Sequence, residues 1–394
     1  MKLSFLGAVL AGAQLVFAAP TKTTATASST SDYIAQFSPI FPSMAPASGV
    51  VSSYNYGPYD TATTLPTTTL SGYPSPWASP DTKSNEVQDA YNKIDWSLVP
   101  KAPVRKQNSK GFVPDTDGSK DPYCWWSDTN CVTPKIRIPQ DIYQCPTKGD
   151  WGLSYDDGPF NRYTDENAAV ENPYAEPALY NFLAEHNNQK ANLFYIGSNV
   201  ATYPAAAKRA FNDGHYICVH TWSHPAMTTV TNAQAVAEFY WSLKAIKEAT
   251  GVTPKCWRPP QGDVDDRIRS IAWQMGMRTV LWDEDSNDWA MPAPGGGDLP
   301  ESTVDGYFKG WIADADKQTH GHIVLEHELN SATVNMTMKW LPTLQKVFNV
   351  VPALACNNVT QPYWETQYVY PTTNSATVDN APASTTDIDL STPL

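Results

Sequence analysis

Charge is scarce in this chain. Only 17% of its 394 residues are charged, and 40 acids face 27 lysines and arginines. The resulting formal charge of −13 argues against a polyanion partner such as nucleic acid and suits a neutral or cationic one. Long hydrophobic runs are also missing. The one apolar stretch, Leu3–Phe17, is short for a bilayer and studded with Gly and Ala. Lys2 precedes it and Val16-Phe17-Ala18 closes it, so residues 1–19 are expected to be a secretory signal, with no transmembrane segment left after removal. The last stretch, 361–394, is polar and has no hydrophobic tail, so no lipid anchor is expected there. Histidine is rare as well, with seven in all, so any clustering of it carries information.

What is abundant is proline, at 33 residues. Residues 20–90 combine it with Ser, Thr and Ala and show no hydrophobic period, which predicts a disordered arm. Residues 91–147 are aromatic, Pro- and Cys-containing, and read as a loop-rich extension packed on a domain. The domain itself is expected over 148–356, followed by a polar tail over 357–394. Six cysteines in a secreted chain point to disulfides. Cys124 and Cys131 are close enough for a local loop, and Cys145 with Cys356 would clamp the domain ends. Cys218 and Cys256 fall in strand-like stretches, and the sequence leaves them either bonded or buried as thiols. Asn335-Met336-Thr337 and Asn358-Val359-Thr360 are acceptors for N-glycosylation in a eukaryotic host.

From Lys148 onward, short apolar runs alternate with amphipathic ones. Strands are predicted at 151–155, 191–196, 216–220, 255–258, 279–283, 323–327 and 350–354. Helices are predicted at 232–250, ending at Gly251, at 265–275, and at 333–348 with a kink at Pro342. About seven β-then-α units imply an α/β fold with a parallel sheet, open or closed into a barrel. Five strands end in polar residues: Asp156-Asp157, His220 to His224, Arg258, Asp283 to Trp289, and Glu326-His327. In parallel α/β architectures the carboxyl ends of the strands face one side, and active sites collect there.

Each cluster has a chemistry. His220 and His224 are four residues apart, a spacing that on a helical turn aims both imidazoles at one divalent ion. One of the two adjacent aspartates completes the ligand set and the other serves as a base; adjacency alone does not decide which. Arg258 can grip a carboxylate in two places and hold Asp156 ionised. The backbone N–H groups of Gln261 and Gly262 are candidate oxyanion donors. His327 beside a metal site is a candidate general acid, with Asp288 raising its pKa. Trp222, Trp282 and Trp289 either wall the site or belong to the core. A glycosidase is disfavoured, because that chemistry needs carboxyls about 5 Å or more apart across the bond, not neighbours in sequence.

Together these motifs resemble the polysaccharide deacetylases of carbohydrate esterase family 4, and are most similar to fungal chitin deacetylases. Leu153-Ser154-Tyr155-Asp156-Asp157-Gly158-Pro159 carries the first motif and His220-Thr221-Trp222-Ser223-His224 the second. Arg258-Pro259-Pro260-Gln261-Gly262-Asp263, Asp285-Ser286-Asn287-Asp288-Trp289 and Leu325-Glu326-His327 follow in the family's order. The resemblance implies a distorted (β/α)7-8 barrel and a divalent metal, zinc first and cobalt second, on Asp157, His220 and His224. It assigns Asp156 as base, His327 as acid, Arg258 as the residue orienting the base, and Asp288 as the residue tuning the acid. It places Tyr155, Gln261, Trp289 and Leu325 along the substrate. The activity implied is hydrolysis of N-acetyl groups of chitin by a secreted, cell-wall-associated enzyme. Two departures stand out: Tyr155 replaces a common Phe, and Gln261 an aromatic. The rival readings are a wall-binding protein with a weakened site and a deacetylase of another acetylated glycan.

Overall fold

The computed structural model describes residues 33–37, 40–41, 45, 47–55, 57, 61–108, 111–112, 120–160 and 176–372. The expected signal at 1–19 and residues 373–394 lie outside them. The strands in chain order are β1 (Gln107–Asn108), β2 (Gly111–Phe112), β3 (Gln144–Cys145), β4 (Asp150–Asp156), β5 (Asn192–Tyr195) and β6 (Tyr216–Val219). They continue with β7 (Cys256–Trp257), β8 (Arg278–Thr279), β9 (Glu284–Asp285), β10 (Gly321–His327) and β11 (Asn349–Pro352). β1 and β2 form a separate antiparallel pair.

The main sheet runs β3-β10-β4-β5-β6-β7-β8, with β11 also on β4 and β9 also on β10. Every pairing in it is parallel except β3 with β10. β4 and β10 are buried along their whole length, as expected for parallel strands covered on both faces. The predicted strand at 279–283 is instead two short ones with different neighbours. β8 pairs with β7 at one edge, and a few residues later β9 pairs with β10 near the other. Asp283 N–H donates to Ile323 O in between, at 3.2 Å. One stretch of chain thus links the two edges and curls the sheet into a distorted barrel. The last predicted strand stops early, because Pro352 ends β11 and Ala353–Cys356 turns helical.

The Asn232–Thr250 helix matches its predicted span. Thr231 and Gln234 form a capping box at its start, and Gly251 closes it in the left-handed conformation at φ 84°. Helices Asp266–Gln274 and Ser331–Val347 lie close to their predicted bounds, and the latter runs through Pro342.

The prediction of a disordered arm does not hold for the described part of 20–90. Ile34 N–H donates to Arg137 O and Leu70 N–H to Ala201 O, both at 2.8 Å. Residues Asn85–Lys93 form a helix that buries Val87 and Ala90. The composition averages over a strap whose few anchors are spaced widely along extended chain. The polar tail is likewise part of the domain up to 372. Tyr363, Tyr368 and Tyr370 are buried, and Lys255 N–H donates to Pro362 O at 2.9 Å.

All three cysteine pairs are bonded: Cys124–Cys131, Cys145–Cys356 and Cys218–Cys256. The third decides between the two alternatives open for Cys218 and Cys256 in favour of a bond. β6 and β7 are adjacent, with Val219 opposite Trp257, which brings the two preceding sulfurs together. The extension is tied to the barrel by buried charges. Arg269 chelates Asp141 through Nε and Nη2, the shortest contact being 2.7 Å, and Arg105 pairs with Asp265. Asp263 accepts from Trp125 Nε1 at 2.8 Å and Ser127 Oγ at 2.9 Å on one oxygen, and from the Thr228 backbone and hydroxyl on the other.

Candidate active site

Asp156 is the last residue of β4, and side chains alternate along a strand. Ser154 and Asp156 therefore share one face, and Arg258, just past β7, reaches both. Its Nη1 donates to Asp156 Oδ1 at 2.7 Å and to Ser154 Oγ at 2.9 Å, and its Nη2 donates to Leu281 O at 3.1 Å. The grip on the carboxylate is a single contact, not the twofold one expected from a guanidinium. This leaves Asp156 Oδ2 pointing to the metal side, 3.7 Å from His220 Nε2.

Asp157 turns away from the strand at φ 77°. Its Oδ1 lies 3.2 Å from His224 Nε2 and 3.5 Å from His220 Nε2. Ligands about 2.0–2.1 Å from a tetrahedral ion sit about 3.3 Å from each other. The same Oδ1 is buried and accepts no hydrogen bond, so the donor set fits a divalent ion. His220 donates from Nδ1 to Arg258 O at 2.8 Å, which leaves Nε2 free as a lone-pair ligand. Burial works against ionising Asp157, but the His224 and His220 imidazoles beside it hold its carboxyl well below the usual range. Burial opposes charge on His224 too, yet Asp157 raises its pKa.

The histidine loop is not the helical turn suggested by the four-residue spacing. It is a bend with Thr221 at φ 64° and His224 at φ 58°. Buried Glu238 holds it: Oε2 accepts the Trp222 and Ser223 N–H groups at 2.8 Å each, and Oε1 the Ser223 hydroxyl at 2.6 Å. Sequence reasoning missed Glu238, although a lone acid among apolar residues of a predicted helix was the available signal.

His327 ends β10. Asp288 accepts its Nδ1–H at 2.7 Å and its backbone N–H at 2.9 Å, so Nε2 is the nitrogen left to exchange a proton. Burial alone would lower the pKa of this ring. The Asp288 carboxylate, helped by Asp157 and Asp156, outweighs that and pushes it up to about 10. The ring is therefore protonated below that value, and an acid role is lost as pH rises through it. Asp288→Asn is expected to shift the alkaline limb of the kcat profile down by roughly one to three pH units. A limb that stays in place would remove Asp288 from the acid's control.

The remaining candidates divide. Trp289 is 47% exposed at the rim, and Leu325 lies on the same face of β10 as His327. The Gln261 side chain is exposed and accepts from Gln107 Nε2 at 3.0 Å. Of the two predicted backbone donors, Gly262 N–H is committed to Pro259 O at 3.0 Å, which leaves Gln261. Gly262 itself is required, since a Cβ there would lie 2.0 Å from the Trp126 ring, at φ +68°. Tyr155 does not meet the site. It is fully buried on the opposite face of β4, beside Glu326 and Thr337. Trp222 is core, and Trp282 is nearly so. A second donor group, Asp283, His320 and His322, lies toward the other end of β10. Its 2.7 Å contact between His322 Nδ1 and Asp283 Oδ2 is hydrogen-bond spacing, and it reads as a structural bridge.

Comparison with known proteins agrees with this geometry. Residues 143–280 match the family described as polysaccharide deacetylase. A chitin deacetylase of Amylomyces rouxii is 39% identical over 355 residues, covering 87% of this chain and 79% of that protein. Chitin deacetylase 2 of Cryptococcus neoformans var. grubii is 38% identical, covering 86% and 72% respectively. The solved structure of a chitin deacetylase from Colletotrichum lindemuthianum is 24% identical with a TM-score of 0.45, over 56% of this chain and 92% of that one. On the strength of the long matches to curated relatives, the chain belongs to the polysaccharide deacetylase family.

Proposed function

We propose that this protein is a metal-dependent chitin deacetylase, converting N-acetylglucosamine units of the polymer into glucosamine and acetate. The observation that carries the reading is the meeting of Asp157, His220 and His224 at ligand spacing, with Asp156 and His327 close by. The substrate class follows the relatives, which are named for chitin. Two imidazoles and one carboxylate with open positions match a hydrolytic zinc site. A divalent ion held there supplies Lewis acidity toward the acetyl carbonyl and the attacking water.

The chain's own groups do the rest. Asp156, oriented by Arg258, takes a proton from the attacking water through its free Oδ2. The Gln261 N–H donates to the oxygen on which charge develops. His327 delivers a proton from Nε2 to the departing amine, and Asp288 stabilises the charged ring beforehand. Leu325 and Trp289 line the space for the acetyl group. Secretion to the cell wall is supported by three disulfides and by exposed Asn335 and Asn358 in their glycosylation acceptors. No helix of the described residues is long and apolar enough to cross a membrane.

Purified protein incubated with N-acetylglucosamine oligomers is expected to release acetate with chain length intact, and a chelator is expected to stop it. Mass spectrometry of the oligomers separates the outcomes. Shortened sugars, or acetate release indifferent to chelation, would overturn the assignment.

A further inference from the structure

We propose that Trp77, carried in by the N-terminal strap, forms a saccharide-stacking subsite on the His224 flank of the metal centre. The inference rests on the deacetylase reading above and extends it to a residue far outside the five site motifs. Among the described residues the exposed tryptophans are Trp77, at 49%, and Trp289, at 47%. Apolar residues exposed singly are ordinary on a protein surface, so the weight falls on where these two indoles stand. Trp289 follows Asp288, the partner of the acid. Trp77 lies against the other side, its ring 6.4 Å from the His224 ring and tilted by 55°.

The strap holds Trp77 in place. Tyr73 stacks on Trp222 of the histidine loop at 5.8 Å with an interplanar angle of 7°. Tyr73 also donates its hydroxyl to Glu248 at 2.6 Å, and Trp222 Nε1 donates to Ser75 O at 3.3 Å. Trp77 itself has φ 59°, a backbone conformation that a bulky side chain avoids. Of the ten other non-glycine residues in that left-handed region among the described residues, Asp157, Thr221, His224, Gln261 and Asn287 fall within the site motifs, while Cys124 and four asparagines, Asn130, Asn187, Asn188 and Asn358, lie outside them. Backbone strain of this kind concentrates where function holds it. Trp77 thus combines a fixed mounting, a strained backbone, and an open aromatic face beside a metal ligand.

The chemistry matches a linear amino sugar polymer. Pyranose rings present apolar C–H faces, and an indole offers a flat apolar surface with a polar edge. A polymer with one unit at the metal centre must leave the site on both sides. Trp289 and Trp77 give it an aromatic surface on each flank.

The test uses the full-length protein. Trp77→Ala is expected to lower the ratio of kcat/KM on the hexamer to that on the dimer of N-acetylglucosamine about tenfold, with the loss in KM rather than kcat. Trp77→Phe, which keeps an aromatic face, should recover most of it. In an Asp156→Asn background, where turnover is suppressed, hexamer titration should quench tryptophan fluorescence, and Trp77→Ala should weaken that binding similarly. An unchanged hexamer-to-dimer ratio, or a fall in kcat at every length, overturns the subsite while leaving the deacetylase reading intact. Absence of both acetate release and hexamer binding in the unmutated protein overturns both.

Discussion

His220→Ala is expected to yield a folded protein that has lost its tight divalent ion, with acetate release down at least about a thousandfold. Of the two histidines it is the more buried, and Arg258 O fixes its tautomer. Disturbing even an outer partner of a metal ligand lowers affinity about 10–100-fold, so removing the ligand costs more than that. Lewis-acid stabilisation supplies several kcal/mol, each 1.36 kcal/mol being about tenfold in rate. The main structural cost is an unpaired Arg258 carbonyl, about 1–3 kcal/mol, which the disulfide-bonded barrel should tolerate. Elemental analysis and a thermal melt on the same sample check the result. A variant that keeps one ion per chain and full activity would sink the metal assignment.

Asp156→Asn should behave differently. The amide keeps the size of the carboxylate and still accepts from Arg258 Nη1, but it no longer takes a proton. A fall in kcat of about 10²–10⁴ is expected, with the bound ion retained. Part of any stability loss comes from leaving Arg258, fully buried, without its counter-charge. The informative comparison is with Asp157→Asn, which should release the ion. Together the two variants settle the division of labour that sequence adjacency leaves open. If Asp156→Asn strips the ion and Asp157→Asn keeps it, the roles are reversed.

The polar ends of the strands were the legible part of this chain. They are set by local sequence and converge because parallel strands must end on one side. The pairing of Cys145 with Cys356 was legible for a related reason, since the cysteines bracket the barrel. The histidine loop was misread because a spacing of four fits more than one backbone. The clamp from Glu238, a long-range contact, selects the bend over the helical turn. Tyr155 was misplaced because a motif implies proximity, whereas the pleat alternates side chains between the two faces of β4. The strap was misjudged because its stability resides in docking to surfaces that composition does not encode. Gly262 shows the same limit, for its need to be glycine comes from Trp126, over a hundred residues earlier.

The ties at Asp263 bear on how this enzyme can be shortened. Trp125 and Ser127 precede the first motif, yet they satisfy the same carboxylate that anchors Thr228 beyond the histidine loop. A gene trimmed to begin at the first motif would strand that acid, together with Asp265 and Arg269, in a dry interior without their counterparts. The smallest autonomous unit therefore starts well upstream of the recognisable catalytic block. Efforts to graft or miniaturise it should carry the leading loops along as part of the machine.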